Sequence, residues 1–204
     1  MQQHDYTGIL PEQYTGKEIE AESSCTLGSR DEAISAYTTA RQRLLNVNKW
    51  HDVAGTISAV FSLRGSGGEE LDRNAMVGDY FRVNIPGPGS EAGAGYDWVQ
   101  VEDCRELNET DVQSTAIRVR PSAGPLGNKD EIAHFYSGES TSTFIVTREA
   151  NTVKAIISDR NISPNGNVNS LKDKVRDLAV GLGAMAVFSK IQWQHLAEGF
   201  IKEA

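Results

Sequence analysis

The sequence contains little cysteine and histidine, and neither is arranged for disulfide or metal chemistry. Its two cysteines, Cys25 and Cys104, are too few for a disulfide framework and too isolated for a metal site, so we expect buried thiols. The four histidines include no pair at the HxxxH or HExxH spacing that places two ligands on one helix face. The sequence therefore predicts neither a metal nor another cofactor.

Long apolar runs and an excess of positive charge are also missing. The apolar passages are interrupted by Gly, Ser or charged residues, and no basic segment followed by an apolar one opens the chain. With 20 Lys and Arg against 28 Asp and Glu, the formal net charge is −8, which opposes attraction to nucleic acid or anionic lipid. We expect a cytoplasmic protein that neither binds nucleic acid nor inserts into a membrane, and its oligomeric state stays open.

The motifs that would identify common catalytic folds are absent from the sequence. A phosphate-binding loop requires GxxxxGK, a dinucleotide fold requires GxGxxG between a strand and a helix, and many hydrolases carry GxSxG. The glycine-rich segments 65–68 and 87–95 lack these contexts and are typical of hairpin loops. Whether the protein is an enzyme is therefore not decided by its motifs.

The first half of the chain begins with an unpatterned segment and then shows clear periodicity. Residues 1–16 have no sustained period and predict a flexible arm, followed by a single domain over residues 17–204. Alternation over 18–27 predicts a half-buried strand. Ser29 and Glu32 form a capping box that predicts a helix over 31–46, and a second short helix should end at Gly55. We expect Trp50 in that second helix to fill one end of the core.

Further alternating segments follow and predict an antiparallel sheet. They cover residues 56–63, 79–85, 96–106, 112–120, 140–148 and 152–159, which makes about seven strands with the first. The turn at 149–151 should be a tight hairpin with Asn151 in the left-handed conformation. The connection 121–138 should be a long loop with one helical turn at 130–135.

A long amphipathic helix is predicted at the C-terminus, with Asn169 or Ser170 as its cap. Its stripe positions advance by three or four residues each. They are Leu171, Val175, Leu178, Leu182, Met185, Ser189, Trp193, Leu196 and Phe200. Gly181 and Gly183 lie in the middle of this helix at a cost in helix propensity. Close packing of helix on sheet is the simpler explanation for them, and space for a ligand is the alternative.

Several strand residues could line a binding site, although the alternation does not say which face is buried. Arg82, Arg118 and Arg120 could each offer a guanidinium to a carboxylate or phosphate, or could face the solvent. Glu102 and Asp103 could act as acid or base if they were buried. These alternatives stay open at the level of sequence.

The order of elements resembles a known superfamily. A strand, two short helices that include the segment NKWHDVAG, a run of antiparallel strands and a long terminal helix together resemble the START/polyketide-cyclase superfamily. Its fold is also called Bet v 1-like, or helix-grip. The resemblance implies an α+β fold, in which a curved antiparallel sheet of about seven strands wraps around the C-terminal helix. It also implies a cavity for lipid-like or polyketide-like apolar molecules.

Three functions are compatible with this resemblance. The first is binding or transport of an apolar small molecule. The second is a cyclase, dehydratase or hydrolase-like enzyme that uses a buried carboxylate, His134 or Tyr136 as acid or base. The third is a partner-binding protein whose cavity is filled by its own side chains. The residues that we expect to contact a ligand are Phe61, Phe81, Val83, Trp98, Arg118, His134, Phe144, Gly183 and Ala184.

Overall fold

The structure is a computed structural model that describes residues 5–55, 59–85, 90, 92–165 and 174–202, with side chains from residue 186 onward in the last range. Three α-helices are present in this part of the chain: α1 (Arg30–Leu45), α2 (Trp50–Ala54) and α3 (Lys174–Ile201), with a 3₁₀ turn at Val47–Lys49. Seven strands accompany them. They are β1 (Lys17–Thr26), β2 (Val60–Arg64), β3 (Tyr80–Asn84), β4 (Asp97–Asn108), β5 (Val112–Pro121), β6 (Thr141–Glu149) and β7 (Thr152–Ile162).

All seven strands form one antiparallel sheet in the order β1-β7-β6-β5-β4-β3-β2. Each pairing after the first joins neighbours in sequence, and β1 and β7 pair to bring the two ends of the chain together. The α-helices pack against one face of the sheet and share a single core with it. The predicted α+β architecture is thereby confirmed. Among the helices of the described chain, none is both long and apolar enough to cross a membrane.

The N-terminus of α1 forms largely as its sequence predicts. The Ser29 hydroxyl accepts a hydrogen bond from the Glu32 N–H at 3.2 Å, and the Glu32 carboxylate accepts one from the Gly28 N–H at 3.0 Å. These bonds satisfy two backbone donors near the start of the helix. The buried stripe of α1 then points at the sheet, where the Tyr37 hydroxyl meets the Thr115 hydroxyl at 2.7 Å.

Trp50 is buried in the core, as predicted. Its side chain is 1% exposed, and its indole N–H donates to the carbonyls of Arg43 and Leu44 at the end of α1. Four aromatic rings surround it at centroid distances of 4.6 to 5.7 Å, from Phe61, Phe81, Phe144 and Phe200. This aromatic cluster fills the space between α3 and the inner face of the sheet at one end of the domain.

Two local predictions are wrong, and others lie outside the described residues. In the β6–β7 hairpin Ala150, not Asn151, takes the positive φ, at 49°. Residues 130–135 form turns and no helix, because this segment bonds across to the start of β4 and to residues near 165. The predicted helix caps at 169 and 170, the side chains of the helix stripe before residue 186 and the strand positions 56–58 are not described.

Residues 5–16 lie across the outer face of the sheet, where we predicted a flexible arm. Ile9 is fully buried there against Ala116, Ile145 and Ile156, in a small cluster separate from the main core. We call residues 5–16 the N-terminal strap. A flexible conformation would leave this apolar patch of the sheet exposed to water. The division of the chain at residue 16 stays a prediction.

Polar side chains of the sheet hold the N-terminal strap in place. Arg118 donates to the Ile9 carbonyl at 2.6 Å, and Arg160 donates to the Pro11 carbonyl at 2.6 Å. Buried Asn161 accepts from the backbone N–H groups of Tyr14 and Thr15. The backbone of Asn161 has a φ of 56°, which Asn tolerates better than most residues. Carbonyl oxygens of an otherwise irregular segment thereby find donors on the sheet.

Candidate functional site

The helices cover one face of the sheet, and the alternation along each strand then decides which side chains point to that face. Phe81 and Val83 of β3, Ile117 and Val119 of β5 and Phe144 of β6 belong to the main core. Their neighbours in sequence point to the opposite face. A cavity lies on the inner side, between these strands, the segment 134–136 and the last part of α3.

The cavity is apolar on most of its wall and small. The apolar part includes Phe61, Phe81, Val99, Phe144 and Phe188. The volume of the cavity is about 60 Å³, which corresponds to roughly four to six water positions. The aromatic cluster around Trp50 occupies the space beyond it. The cavity is therefore compact, and the part of its wall that is not apolar is formed by polar side chains.

Asp159 provides the strongest polar feature of the cavity. It follows Ala155 and Ile157 on the inner row of β7, is 2% exposed, and accepts a hydrogen bond from the Trp193 indole N–H on α3 at 2.7 Å. Its second oxygen, Oδ1, has no hydrogen bond of good geometry within the described residues. Burial raises the pKa of the Asp159 carboxyl to about 6, and Ser142 and Trp193 partly oppose the rise. The carboxyl therefore changes charge close to neutral pH.

Tyr136 and His134 form a second polar part of the wall. Burial raises the pKa of Tyr136 to about 12, so its hydroxyl stays protonated. The Ser189 hydroxyl beside it moderates this rise, but the tyrosine hydroxyl makes no hydrogen bond of good geometry among the described residues. Oxygens of Asp159 and Tyr136 thus both line the cavity with capacity for a further hydrogen bond.

The imidazole of His134 is held in one tautomer. Its Nδ1 accepts from the Tyr136 backbone N–H at 2.9 Å, so in the neutral ring Nε2 carries the hydrogen. Nε2 lies 4.0 Å from Oδ2 of Asp97, which is itself buried and accepts from the Phe135 N–H at 3.3 Å. Burial lowers the pKa of His134, and Asp97 only partly opposes this. The ring is therefore neutral and can donate from Nε2.

Five of the predicted ligand-contacting residues line this cavity. They are Phe61, Phe81, Val83, His134 and Phe144. Gly183 and Ala184 belong to α3, but their surroundings lie outside the described side chains. Whether any of these residues binds a ligand stays a prediction.

Arg118 and Trp98 do not line the cavity, contrary to prediction. Both lie on the outer face of the sheet, because the buried neighbours Ile117, Val119 and Val99 take the inner positions. Arg118 instead pairs with Glu102 at 3.0 Å and binds the N-terminal strap. Trp98 lies in a groove on that face.

Glu102 and Asp103, which we considered as acid or base, also face outward. The register of β4 with β5 shifts between Val101 and Asp103, which places two carboxylates in succession beside arginines. Glu102 is hydrogen-bonded to Arg118 and Arg120, and Asp103 pairs with Arg105 at 2.8 Å. These carboxylates neutralise arginines on the outer face and have no contact with the cavity.

Comparison with solved structures found matches of low identity that span most of the chain. A hypothetical protein of Helicobacter pylori matches with a TM-score of 0.48 and 12% identity, over 90% of this chain and 87% of that one. Truncated norcoclaurine synthase from Thalictrum flavum matches with a TM-score of 0.37 and 11% identity, over 95% and 100% of the two chains. The protein Ara h 8.0201 matches with a TM-score of 0.32 and 12% identity, over 88% and 99%.

These similarities are too distant to say anything about activity, and the element order itself identifies the fold. No protein-family model matches the sequence, and no curated protein matches it. The antiparallel sheet of seven strands, the two short helices after β1 and the long terminal helix are the features that the resemblance implied. The chain has the Bet v 1-like helix-grip fold. Its scaffold is one on which a ligand can bind between sheet and helix.

Sequence reasoning missed most of the polar wall of this helix-grip domain. Asp159 continues the inner row of β7, and a carboxylate that follows two apolar residues at alternate positions was a usable signal. Asp97 gave a similar signal, because it precedes the buried Val99 and Val101 at alternate positions of β4. The polar residues of α3 offered less, because a side chain such as Gln192 is common on any helix. In the structure Gln192 is buried and accepts a hydrogen bond from the Ala59 N–H at 2.7 Å.

Proposed function

We propose that this helix-grip domain binds a small, mostly apolar molecule with at least one polar group in the cavity between the sheet and α3. The observation that carries the proposal is the pairing of aromatic walls with buried oxygens on Asp159 and Tyr136 that have capacity for a further partner. Such oxygens are costly unless something satisfies them. A ligand with a hydroxyl or amine group would supply that partner.

The size of the cavity restricts the ligand. A volume of about 60 Å³ is far below that of a lipid-like or polyketide-like molecule. A ligand of that size would require the side chains of α3 or of segment 134–136 to move. A compact molecule fits the available space better. The net charge of −8 opposes attraction to nucleic acid and to anionic membrane surfaces.

The first test is native mass spectrometry of the purified protein, followed by titration with a compact aromatic alcohol, phenol, as the probe, detected by NMR of the Trp193 indole N–H that lines the cavity. Ser189→Leu should fill the cavity and weaken probe uptake at least tenfold, because Ser189 is a buried lining residue on α3. Thr38→Leu places the same side chain on the exposed face of α1 and is the matched control. Equal binding by both variants, or no binding by the wild type, would contradict the proposal. The second outcome would favour the partner-binding function.

A second candidate function, acid–base catalysis on a bound molecule, is favoured by the pKa of Asp159. A carboxyl with a pKa of about 6 is partly ionised near neutral pH and can accept or return a proton. Neutral His134 and protonated Tyr136 could donate hydrogen bonds to an oxygen of the same molecule. The test is Asp159→Asn, which should retain a co-purifying molecule and abolish any conversion of it, as followed by mass spectrometry. A variant that converts it at the wild-type rate would exclude this role.

A further inference from the structure

A second concave surface lies on the opposite side of the sheet from the cavity. It is bounded by Arg64 of β2, Arg82 of β3, Trp98 of β4 and the loop that contains Gly124–Gly127, and we call it the outer groove. Its open volume is about 400 Å³, several times that of the cavity. Arg82 and Trp98 face each other directly in the β3–β4 register. The groove therefore combines a cation and a large aromatic ring on adjacent strands.

The walls of the outer groove are held by close contacts at glycine. A Cβ atom on Gly124 would lie 3.2 Å from the Trp98 indole, so this loop lies directly on the ring. A Cβ on Gly93 would lie 2.9 Å from the same indole and 1.9 Å from the Tyr96 carbonyl oxygen. Gly68 approaches Leu126 in the same way, which joins the loop after β2 to the loop after β5. The contacts at Gly93 and Gly124 place these two loop segments against Trp98, where they form walls of the groove.

Arg82 is the group in the groove that can receive an anion. Its guanidinium lies 4.5 Å from the centroid of the Tyr96 ring. Among the described residues no carboxylate pairs with it, whereas Arg64 pairs with Glu70 at 2.8 Å and Arg120 with Glu102. The tyrosine ring keeps the guanidinium plane in place without neutralising its charge. Within the part of the chain that the structure describes, the groove thus carries one positive charge without a carboxylate partner, in a protein whose net charge is −8.

We propose that the outer groove binds a small aromatic monocarboxylate. The planar fork of Arg82 matches a carboxylate, and the apolar parts of Trp98, Pro125 and Leu126 that line the groove can contact an aromatic ring. A single guanidinium balances a single negative charge, which favours a monoanion over a phosphate dianion. This site does not depend on the proposed function of the cavity, because it lies on the other face of the sheet and shares no lining residue with it.

The proposal is tested with 2-naphthoate as the probe on the full chain, followed by NMR of the three tryptophan indole N–H signals. The Trp98 signal, assigned by its loss in Trp98→Phe, should shift on titration, while those of Trp50 and Trp193 stay in place. The neutral probe 2-naphthamide should bind at least tenfold more weakly to the same wild-type protein. Because this comparison requires no substitution, it holds even where a variant folds poorly.

Variants then assign the charge to one residue. Arg82→Gln should weaken 2-naphthoate binding at least tenfold, and Arg82→Lys should weaken it less, because the charge remains but the fork is lost. Arg30→Gln removes one positive charge near the β4–β5 turn and should leave the affinity unchanged. Equal affinity for the two probes, equal affinity of Arg82→Gln and wild type, or a shift of the Trp193 signal in place of that of Trp98 would each overturn the proposal. The last outcome would instead place the probe near Trp193, on the other face of the sheet.

Discussion

The burial of Asp159 predicts that the stability of this domain changes with pH in a way that one substitution removes. Burial raises the carboxyl pKa from 3.8 to about 6, a difference of about 3 kcal/mol between its two protonation states. Because the pKa in the folded state is higher than in the unfolded state, the associated stability is fully present below pH 3.8. It is lost as the pH rises towards 6, and the loss is complete above that value.

The substitution that isolates this effect is Asp159→Asn, which keeps the shape of the side chain and an acceptor for Trp193. The free energy of unfolding of the variant relative to wild type should rise by about 2 kcal/mol between pH 4 and pH 7. The asparagine carries no charge at any of these pH values, whereas the wild-type carboxylate becomes a poorly solvated anion. Urea denaturation at several pH values measures the difference directly.

A second measurement and a control make the result specific. The indole N–H of Trp193 donates to Asp159 at 2.7 Å, so its NMR signal should titrate with a midpoint near pH 6 in the wild type. The exposed carboxyl of Asp72 provides the control, since Asp72→Asn should show no such pH-dependent gain. A constant difference between Asp159→Asn and wild type from pH 4 to pH 7 would refute the argument, because it would mean that the carboxyl is solvated in the folded protein.

Three further predictions concern the packing of the fold. Trp50→Ala should lower the free energy of unfolding by about 3–5 kcal/mol, because its ring contacts four other aromatic rings; a loss under 1 kcal/mol in urea denaturation would contradict this. Gly199→Ala should lower the free energy of unfolding by about 1–3 kcal/mol, because the new Cβ would lie 2.3 Å from the Val53 carbonyl oxygen. Gly138→Ala is the control, because the Cβ there would meet only ordinary van der Waals contacts. Ile9→Ala should cost about 2–4 kcal/mol if the N-terminal strap is docked, while exposed Tyr14→Ala should change the melting temperature little. Equal effects of these last two substitutions would mean that the strap does not pack as described.

The sequence alone determined the elements of this protein and their order. The capping box at Ser29, the alternation of the strands and the spacing along the C-terminal helix are local patterns, and local hydrogen bonding and burial produce them. Because consecutive strands separated by short turns pair with each other, the antiparallel sheet also followed from the sequence. Trp50 could be placed in the core, because a large aromatic residue at the start of a short helix has few other places to pack.

Only the tertiary structure decided which residues face one another. The sequence allowed either face of β4 and β5 to be buried, and the choice depended on where the helices pack, a long-range contact that no local pattern records. That choice put Asp97 inside and Arg118 outside. The bulge after Val101 then placed Glu102 and Asp103 together on the outer face.

The N-terminal strap is a second feature whose conformation local sequence patterns do not predict. Residues 5–16 have no period because they form no helix or strand, so the sequence predicted that they would be flexible. Their order comes from the sheet: an apolar patch around Ile145 receives Ile9, and arginines on three strands donate to the backbone of the strap. The sequence determines structure where a segment is stabilised by its own neighbours. Where a segment is stabilised by surfaces that exist only after folding, its conformation is decided by the tertiary structure.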